Sequence, residues 1–272
     1  PMKISVLLIP FLALVLSSVH ADVATYPVPP GETLNTQFTV TVDGVPVPVV
    51  DEVRTYCHFS FDGEVEIEVT GLTNHTLSPV DHGIVPSIDD GSRMVFTLDR
   101  PRYLVLHAGG TNELIIFADP VEVDPPQADD MNVLNIASWD GTIEEALGRV
   151  SIDPLYDVVY VGPGTYDLHE NLKMPSNAAL YLAGGAKLNF LNGGVQVIDA
   201  DNVKLFGRGL IEYNENSGAY KDFGIWTSFA TNLEIQGIVT RNSLNWNVLI
   251  DDSDTVEISY LKVLNDKTGI GE

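Results

Sequence analysis

Asp201-Asn202-Val203-Lys204-Leu205-Phe206-Gly207 is followed by Thr231-Asn232-Leu233-Glu234-Ile235-Gln236-Gly237 and then by Asp254-Thr255-Val256-Glu257-Ile258-Ser259-Tyr260. A weaker copy, Ser176-Asn177-Ala178-Ala179-Leu180-Tyr181-Leu182, precedes them. Each copy opens on a polar pair, alternates apolar and polar residues, and often closes on Gly. The copies start at 176, 201, 231 and 254, separated by 25, 30 and 23 residues. Self-similarity at a period of about 20–50 residues marks a stacked repeat. Alternation with period two makes the repeated unit a strand. One short strand plus turns, repeated, reads as a rung of a right-handed parallel β-helix. Parallel β-helices of secreted proteins usually handle polysaccharide, so the pattern bears on substrate as well as fold.

Working outward, Val158-Val159-Tyr160-Val161 is an earlier strand, and Gly162-Pro163-Gly164 turns the corner. That Gly-Pro-Gly lacks the third Gly and following helix of a phosphate loop. Ala183-Gly184-Gly185-Ala186 has no bulky side chain, as a tight bend requires. Thr142 caps a short helix from Ile143 to Gly148, whose apolar Ile143, Ala146 and Leu147 share a face. Such a helix would cover the open first end of the stack, because bare terminal repeats expose core. Residues 131–272 are therefore read as an incomplete parallel β-helix, and Pro120 to Asp130, rich in Pro and acid, as a linker.

Residues 22–119 read as an all-β unit of a different kind. Gln37-Phe38-Thr39-Val40-Thr41-Val42 alternates and meets Asp43-Gly44, a hairpin turn. Val45-Pro46-Val47-Pro48-Val49-Val50 reads as extended, and its prolines confine it to a sheet edge. Val65–Val69, Met94–Leu98, Tyr103–His107 and Glu113–Ala118 follow with regular turn signals, which suggests a β-sandwich. Asn74-His75-Thr76 fits the glycosylation sequon. Cys57, the single cysteine, sits in an alternating pattern and reads as a core thiol.

Lys3, an apolar run from Ile4 to Leu16 and a small residue at Ala21 describe a secretory signal peptide over residues 1–21. The run is shorter than the roughly 20 residues of a membrane span. The expected location is therefore extracellular, with no membrane partner. Formal net charge is −24, from 38 acidic and 14 basic residues. Such a surface repels nucleic acid and anionic lipid. It suits a neutral glycan better than an acidic one. No CxxC, HExxH or GxxxxGK[ST] motif occurs, and nothing calls for a metal or other cofactor.

With these residues in place, the chain resembles secreted polysaccharide hydrolases of the pectin-lyase-like superfamily, the polygalacturonases and dextranases of glycoside hydrolase families 28 and 49. The resemblance lies in Val158–Tyr166, Tyr181–Ala186, Gly207–Ile211 and Arg241-Asn242-Ser243-Leu244-Asn245-Trp246-Asn247. In the front half it lies in Leu77–Pro86, Phe96–Pro101 and Leu114–Ala118. It implies glycosidic hydrolysis by two carboxylates, roughly 6.5–9.5 Å apart for inversion. Adjacent rungs, about 4.8 Å apart, can supply such a gap. The family marks these acids with Asn-Thr-Asp, Asp-Asp and Gly-His-Gly, followed by Arg-Ile-Lys. None of the three tripeptides occurs here, and Asn-Thr-Asp would be expected shortly after Leu261–Leu264. The catalytic rungs are thus expected to be missing.

Asp251-Asp252 is the one Asp-Asp in a rung and the candidate acid pair. The competing readings are polar turn residues after a strand Trp246–Ile250 and a calcium site. A calcium-dependent lyase would need a base, and Lys221, Arg241 and Lys262 are the only Lys or Arg nearby. Tyr213, Tyr220, Phe223, Trp226 and Trp246 cluster in sequence. Of these, Trp226, read as part of the long insertion between rungs, and Trp246 are the candidate sugar contacts, since sugar rings stack on aromatic planes. A non-catalytic carbohydrate-binding β-helix is the remaining alternative.

Overall fold

The computed structural model describes residues 22–110, 112–213, 223–243 and 245–265. Residues 22–120 form two sheets packed face to face. One runs in the order Asp22–Thr25, Thr55–Asp62, Glu113–Pro120, Arg102–Ala108, His75–Ser78, with Val49–Asp51 also paired to Thr55–Asp62. The other runs Val45–Val47, Thr39–Val42, Val65–Thr70, Arg93–Leu98, Ile88–Asp89. All pairs are antiparallel except Glu113–Pro120 with Thr55–Asp62. The alternation in these strands turns Val40, Val42, Phe59, Phe61, Ile67, Phe96, Leu104 and Ile116 into one buried core. Cys57 lies in it, fully buried, and burial pushes its thiol up to about 12. The run Val45 to Val50 divides between the two sheets at Pro48: Val45–Val47 is an edge strand beside Thr39–Val42, and Val49–Asp51 pairs with Thr55–Asp62. Asp43 and Gly44 both take the positive φ of the hairpin.

From Val133 the chain coils. One sheet, here the long sheet, stacks Val133–Asn135, Val158–Val161, Ala179–Leu182, Asp201–Gly207, Thr231–Gln236 and Asp254–Ser259 in parallel. The covered sheet stacks Gly164–Leu168, Ala186–Phe190, Leu210–Tyr213, Val239–Arg241 and Lys262–Leu264. The open sheet stacks Leu172–Lys173, Val195–Ile198, Ile225–Ser228 and Val248–Asp251. Successive turns of a right-handed parallel β-helix each give one strand to each sheet. The repeat read from the sequence is the physical register: Leu180 pairs with Leu205, Leu205 with Ile235 and Ile235 with Ile258. Inward residues form continuous columns, and Phe190 stacks on Tyr213 at 5.4 Å.

The polar pair at the head of each repeat has a structural cause. Asn177, Asn202, Asn232 and Thr255 all take left-handed φ, between 55° and 60°. Asn tolerates that conformation best among residues with a side chain. The amides also stack: Asn202 Nδ2 donates to Asn177 Oδ1 at 2.9 Å, and Asn232 Nδ2 to Asn202 Oδ1 at 2.8 Å. Asn202→Val is expected to cost about 2 kcal/mol, from a β-branched residue at positive φ and two lost hydrogen bonds. Urea-unfolding midpoints measure it; a loss under about 0.5 kcal/mol would dismiss the ladder as a stabilising element.

Thr142 caps the helix Ile143–Ile152 through a reciprocal capping box with Glu145. The helix continues four residues beyond the expected Gly148. Its buried Ile143, Ala146, Leu147 and Val150 join the interior beside Val159, Leu172 and Leu180, closing the first end of the coil. Among the described residues, the other end is uncovered. Ile250, Ile258 and Val263 occupy inward columns yet are 42, 39 and 49% exposed.

Candidate functional site

The coil has three outer faces, and among the described residues one of them carries neither the sandwich nor the connector. The sandwich covers the outer face of the covered sheet, where Leu210, Val239 and Leu264 pack against Val50, Tyr56 and Phe117. Two buried ionic groups fasten this contact. In the first, Arg241, 1% exposed, binds Glu212 of the preceding rung (Nε to Oε1, 2.8 Å) and Glu32 of the sandwich (Nη1 to Oε2, 2.7 Å). Lys187 binds Glu32 at 2.9 Å and also Glu212. In the second, Asp119 accepts from His58 Nε2 at 2.8 Å, from Tyr103 at 2.7 Å and from Lys262. Arg208 Nε lies 3.5 Å from the same carboxylate, and its Nη2 donates to the Pro120 carbonyl at 2.9 Å.

This second group sets its own ionisation. Burial alone would raise the Asp119 carboxyl, but the His58 hydrogen bond and the charges of Lys262 and Arg208 hold it well below the usual carboxylate range. Burial pushes Lys262 down to about 8 against the pull of Asp119. Burial, helped by the Lys262 charge, pushes His58 down to about 4 from 6.5. The unfolded imidazole therefore takes up its proton near 6.5, and the folded one only near 4. Between those values the unfolded state binds more protons, so stability falls as pH drops from about 6.5 to about 4. The displacement corresponds to about 3 kcal/mol. His58→Gln should flatten the stability curve in that window; an unchanged slope would show that His58 is not its source.

The outer face of the long sheet is partly covered. Tyr160, Tyr181 and Phe206 form an aromatic column with centroids 5.5 and 5.0 Å apart. The connector lies over it, and the Tyr181 hydroxyl donates to Glu122.

Among the described residues the open sheet is flanked by neither the sandwich nor the connector; Trp226 and Asp251 lie on it, and Trp246 and Asp252 lie at its corners. Trp226 is half-buried, and its Nε1 is closed to solvent. Register aligns Lys173, Gln196, Trp226 and Leu249 in one outward column, and Ile198, Ser228 and Asp251 in the next. Trp226 thus sits within the strand Ile225–Ser228 rather than in the insertion before it, a correction to the sequence reading. Ile225 and Thr227 are fully buried on either side of it and fix its outward direction by alternation. Its ring lies 5.5 Å from that of Phe223. Gly224 N–H donates to the Trp246 carbonyl and Ile225 N–H to the Asn247 carbonyl. Trp246 therefore stands one rung along from Phe223, at the same corner, with 60% of its surface exposed.

The strand here runs Val248–Asp251, not Trp246–Ile250, because Asn245 to Asn247 form the corner. Asp251 is accordingly a strand residue, and Asp252 alone takes the turn, with φ 39°. Both are exposed, and no described cation pairs with either carboxylate. The left-handed corner that Asp252 occupies is filled one rung back by Phe229, 59% exposed, with φ 52°. An exposed Phe in that conformation gave no sequence signal; only the stacking of corners reveals that it extends the apolar strip.

The other candidates fall elsewhere. Tyr213 points inward, while Tyr220 and Lys221 lie outside the described residues, as does the whole segment 1–21. Arg241 and Lys262 are locked against the sandwich, remote from Asp251-Asp252, so neither serves as a base there. Among the described residues no three His, Cys, Asp or Glu side chains converge as metal ligands. Asn74 is exposed in the turn before His75–Ser78. Among the described residues no helix is long and apolar enough to cross a membrane.

A β-sandwich followed by a right-handed parallel β-helix is a fold that the chain shares with a solved structure at low identity. Dex49A from Penicillium minioluteum superposes with a TM-score of 0.54 at 15% identity, over 85% of this chain and 60% of that one. A family 28 exopolygalacturonase from Yersinia enterocolitica matches with a TM-score of 0.36 at 12% identity, over 90% of this chain and 57% of that one. The chain thus spans about three fifths of the length of these proteins. No family model matches the sequence, and no curated protein sequence does.

Proposed function

We propose that this chain is the glycan-holding part of a secreted glycoside hydrolase that acts on polysaccharide, of polygalacturonase or dextranase type. The observation that carries the reading is the outer side of the open sheet, where half-buried Phe223 and Trp226 and exposed Trp246 stand together with Asp251 and Asp252. Flat rings at rung spacing suit an extended row of sugar rings, which present apolar faces. Carboxylates that lack cation partners suit hydroxyl donors. The acid pair of hydrolysis is assigned to rungs stacked beyond Lys262–Leu264. The uncovered inward residues Ile250, Ile258 and Val263 support a coil that continues. The apolar run Ile4 to Leu16 supports secretion, and the exposure of Asn74 supports its role as a glycan acceptor.

The test uses the purified chain with dextran and with polygalacturonate. The expected result is retardation in affinity electrophoresis by one of them, without release of reducing ends. Release of reducing ends would place a working acid pair within this chain and return Asp251-Asp252 to candidacy for that role. Mobility unaffected by either polymer would defeat the reading. Appending rungs that carry Asn-Thr-Asp and Asp-Asp separates the alternatives: a hydrolase gains turnover, and a non-catalytic binding module does not.

A further inference from the structure

We propose that the hollow between the connector and the long sheet binds one neutral hexose unit of a glycan, held by Glu122, Gln236 and Lys204. The hollow measures about 350 Å³, within the usual range of small-molecule sites, about 300–1,000 Å³. The connector forms one wall with Glu122 and Val123, and the sheet forms the floor with Lys204, Phe206, Glu234 and Gln236. Register places these four on adjacent rungs, Lys204 beside Glu234 and Phe206 beside Gln236. Leu205 and Ile235, both fully buried, fix their outward direction by alternation.

Two polar groups there are open and unfinished. Gln236 is half-buried, and its amide has no hydrogen-bond partner among the described residues. Glu122 uses Oε2 to accept from the Tyr181 hydroxyl at 3.2 Å, while its Oε1 has only Arg208 Nη1 at 3.8 Å, beyond hydrogen-bond reach. Neither the amide nor Oε1 is closed to solvent, so a ligand reaches both. Burial raises the Glu122 carboxyl against the pull of Arg208, as suits a carboxylate short of donors. Lys204 Nζ lies 4.4 Å from the centroid of the Phe206 ring and 3.0 Å from Glu234 Oε1, which fixes its ammonium at the floor with N–H groups to spare.

The chemistry of these groups selects the ligand. The wall offers an acceptor, and the floor offers an amide and an ammonium. Neighbouring hydroxyls of a sugar, each both donor and acceptor, satisfy all three kinds of group. Val123, 88% exposed, gives apolar surface at the rim for the C–H face of the ring. The charges of the hollow cancel: Glu122 and Glu234 stand against Lys204 and Arg208, and both cations are already engaged, Lys204 by Glu234 and Arg208 by Asp119. A uronate or phosphate finds no uncommitted cation there, so the ligand is uncharged. The site lies on a different outer face from Trp226 and does not depend on the reading of the open sheet.

The experiment follows the Gln236 side-chain amide of the whole chain by NMR during titration with methyl α-D-glucoside, D-galacturonate or sorbitol at constant ionic strength. The glucoside should shift it saturably. Galacturonate should bind at least tenfold more weakly, because Glu122 and Glu234 oppose its carboxylate, and sorbitol likewise, because an open chain lacks the ring. Read through the Gly237 backbone amide, Glu122→Ala and Gln236→Leu should each weaken glucoside binding more than fivefold, as two independent variants. The absence of a saturable shift, binding of galacturonate or sorbitol as tight as that of the glucoside, or undiminished binding by both variants would overturn the proposal.

Discussion

Asp119→Ala should lower the unfolding free energy by about 3–5 kcal/mol, the range for stripping one partner from a buried ion pair. The carboxylate is fully buried, accepts from His58, Tyr103 and Lys262, and lies 3.5 Å from Arg208 Nε. Without it, Lys262 Nζ keeps only the Gly237 carbonyl, at 2.6 Å, in a position with no exposure. The cost therefore lies mainly in the stranded Lys262 cation rather than in the lost attraction, since Arg208 keeps the Ser60, Gly207 and Pro120 oxygens. That distinction is testable. Asp119→Asn, which preserves shape, should be nearly as damaging as alanine. Asp119→Leu combined with Lys262→Met should recover much of the loss, since apolar pairs often replace buried ion pairs at little cost. Urea-unfolding midpoints measure all three, and a loss below about 1 kcal/mol for Asp119→Ala would show that water reaches the junction. Because Asp119 belongs to the sandwich and Lys262 to the last described rung, the variant should also loosen one unit from the other, readable as faster proteolysis between Pro120 and Asp130.

What the sequence disclosed and what it hid divide along sequence distance. The coil was legible because its contacts recur locally. Asn177, Asn202 and Asn232 mark the same bend in successive turns, and alternation from each Asn onward fixes which residues face inward. The capping helix was legible from Thr142 and Glu145 for the same reason. The junction was not. Asp119 and Lys262 are 143 positions apart and Glu32 and Arg241 are 209 apart, and no periodicity connects them. Arg241 accordingly read as a residue of the rung and Lys262 as a potential base, when both hold the sandwich. Gly184-Gly185 read as a tight bend. The fuller cause is that added Cβ atoms there would lie 2.5 Å from Tyr26 and 2.8 Å from Pro27, where the sandwich's first segment crosses the corner. The open face was legible in part. Trp226, Trp246, Asp251 and Asp252 were found by residue type, but their convergence needed the register, and Phe229 needed the stacked corners.

Trp226→Ala should weaken polysaccharide retention roughly tenfold, and Trp226→Ala with Trp246→Ala roughly a hundredfold, taking each ring as worth about 1.4 kcal/mol. The rings belong to different rungs, so a glycan lying along the coil axis would meet both, whereas one crossing the strands would meet only one. Near-additive losses therefore report the direction of the chain as well as its presence. Both side chains face outward from the interior columns, so the unfolding midpoint should move little and separate lost binding from lost folding. Leu249 continues the Trp226 column in the next rung, and Leu249→Trp should extend the platform and tighten retention several fold. A Leu249→Trp chain that bound no better, together with unchanged retention in the double alanine variant, would remove the open sheet from consideration. The aromatic column on the long sheet would then be the surface to test, beginning with Phe206, because the connector shields Tyr181.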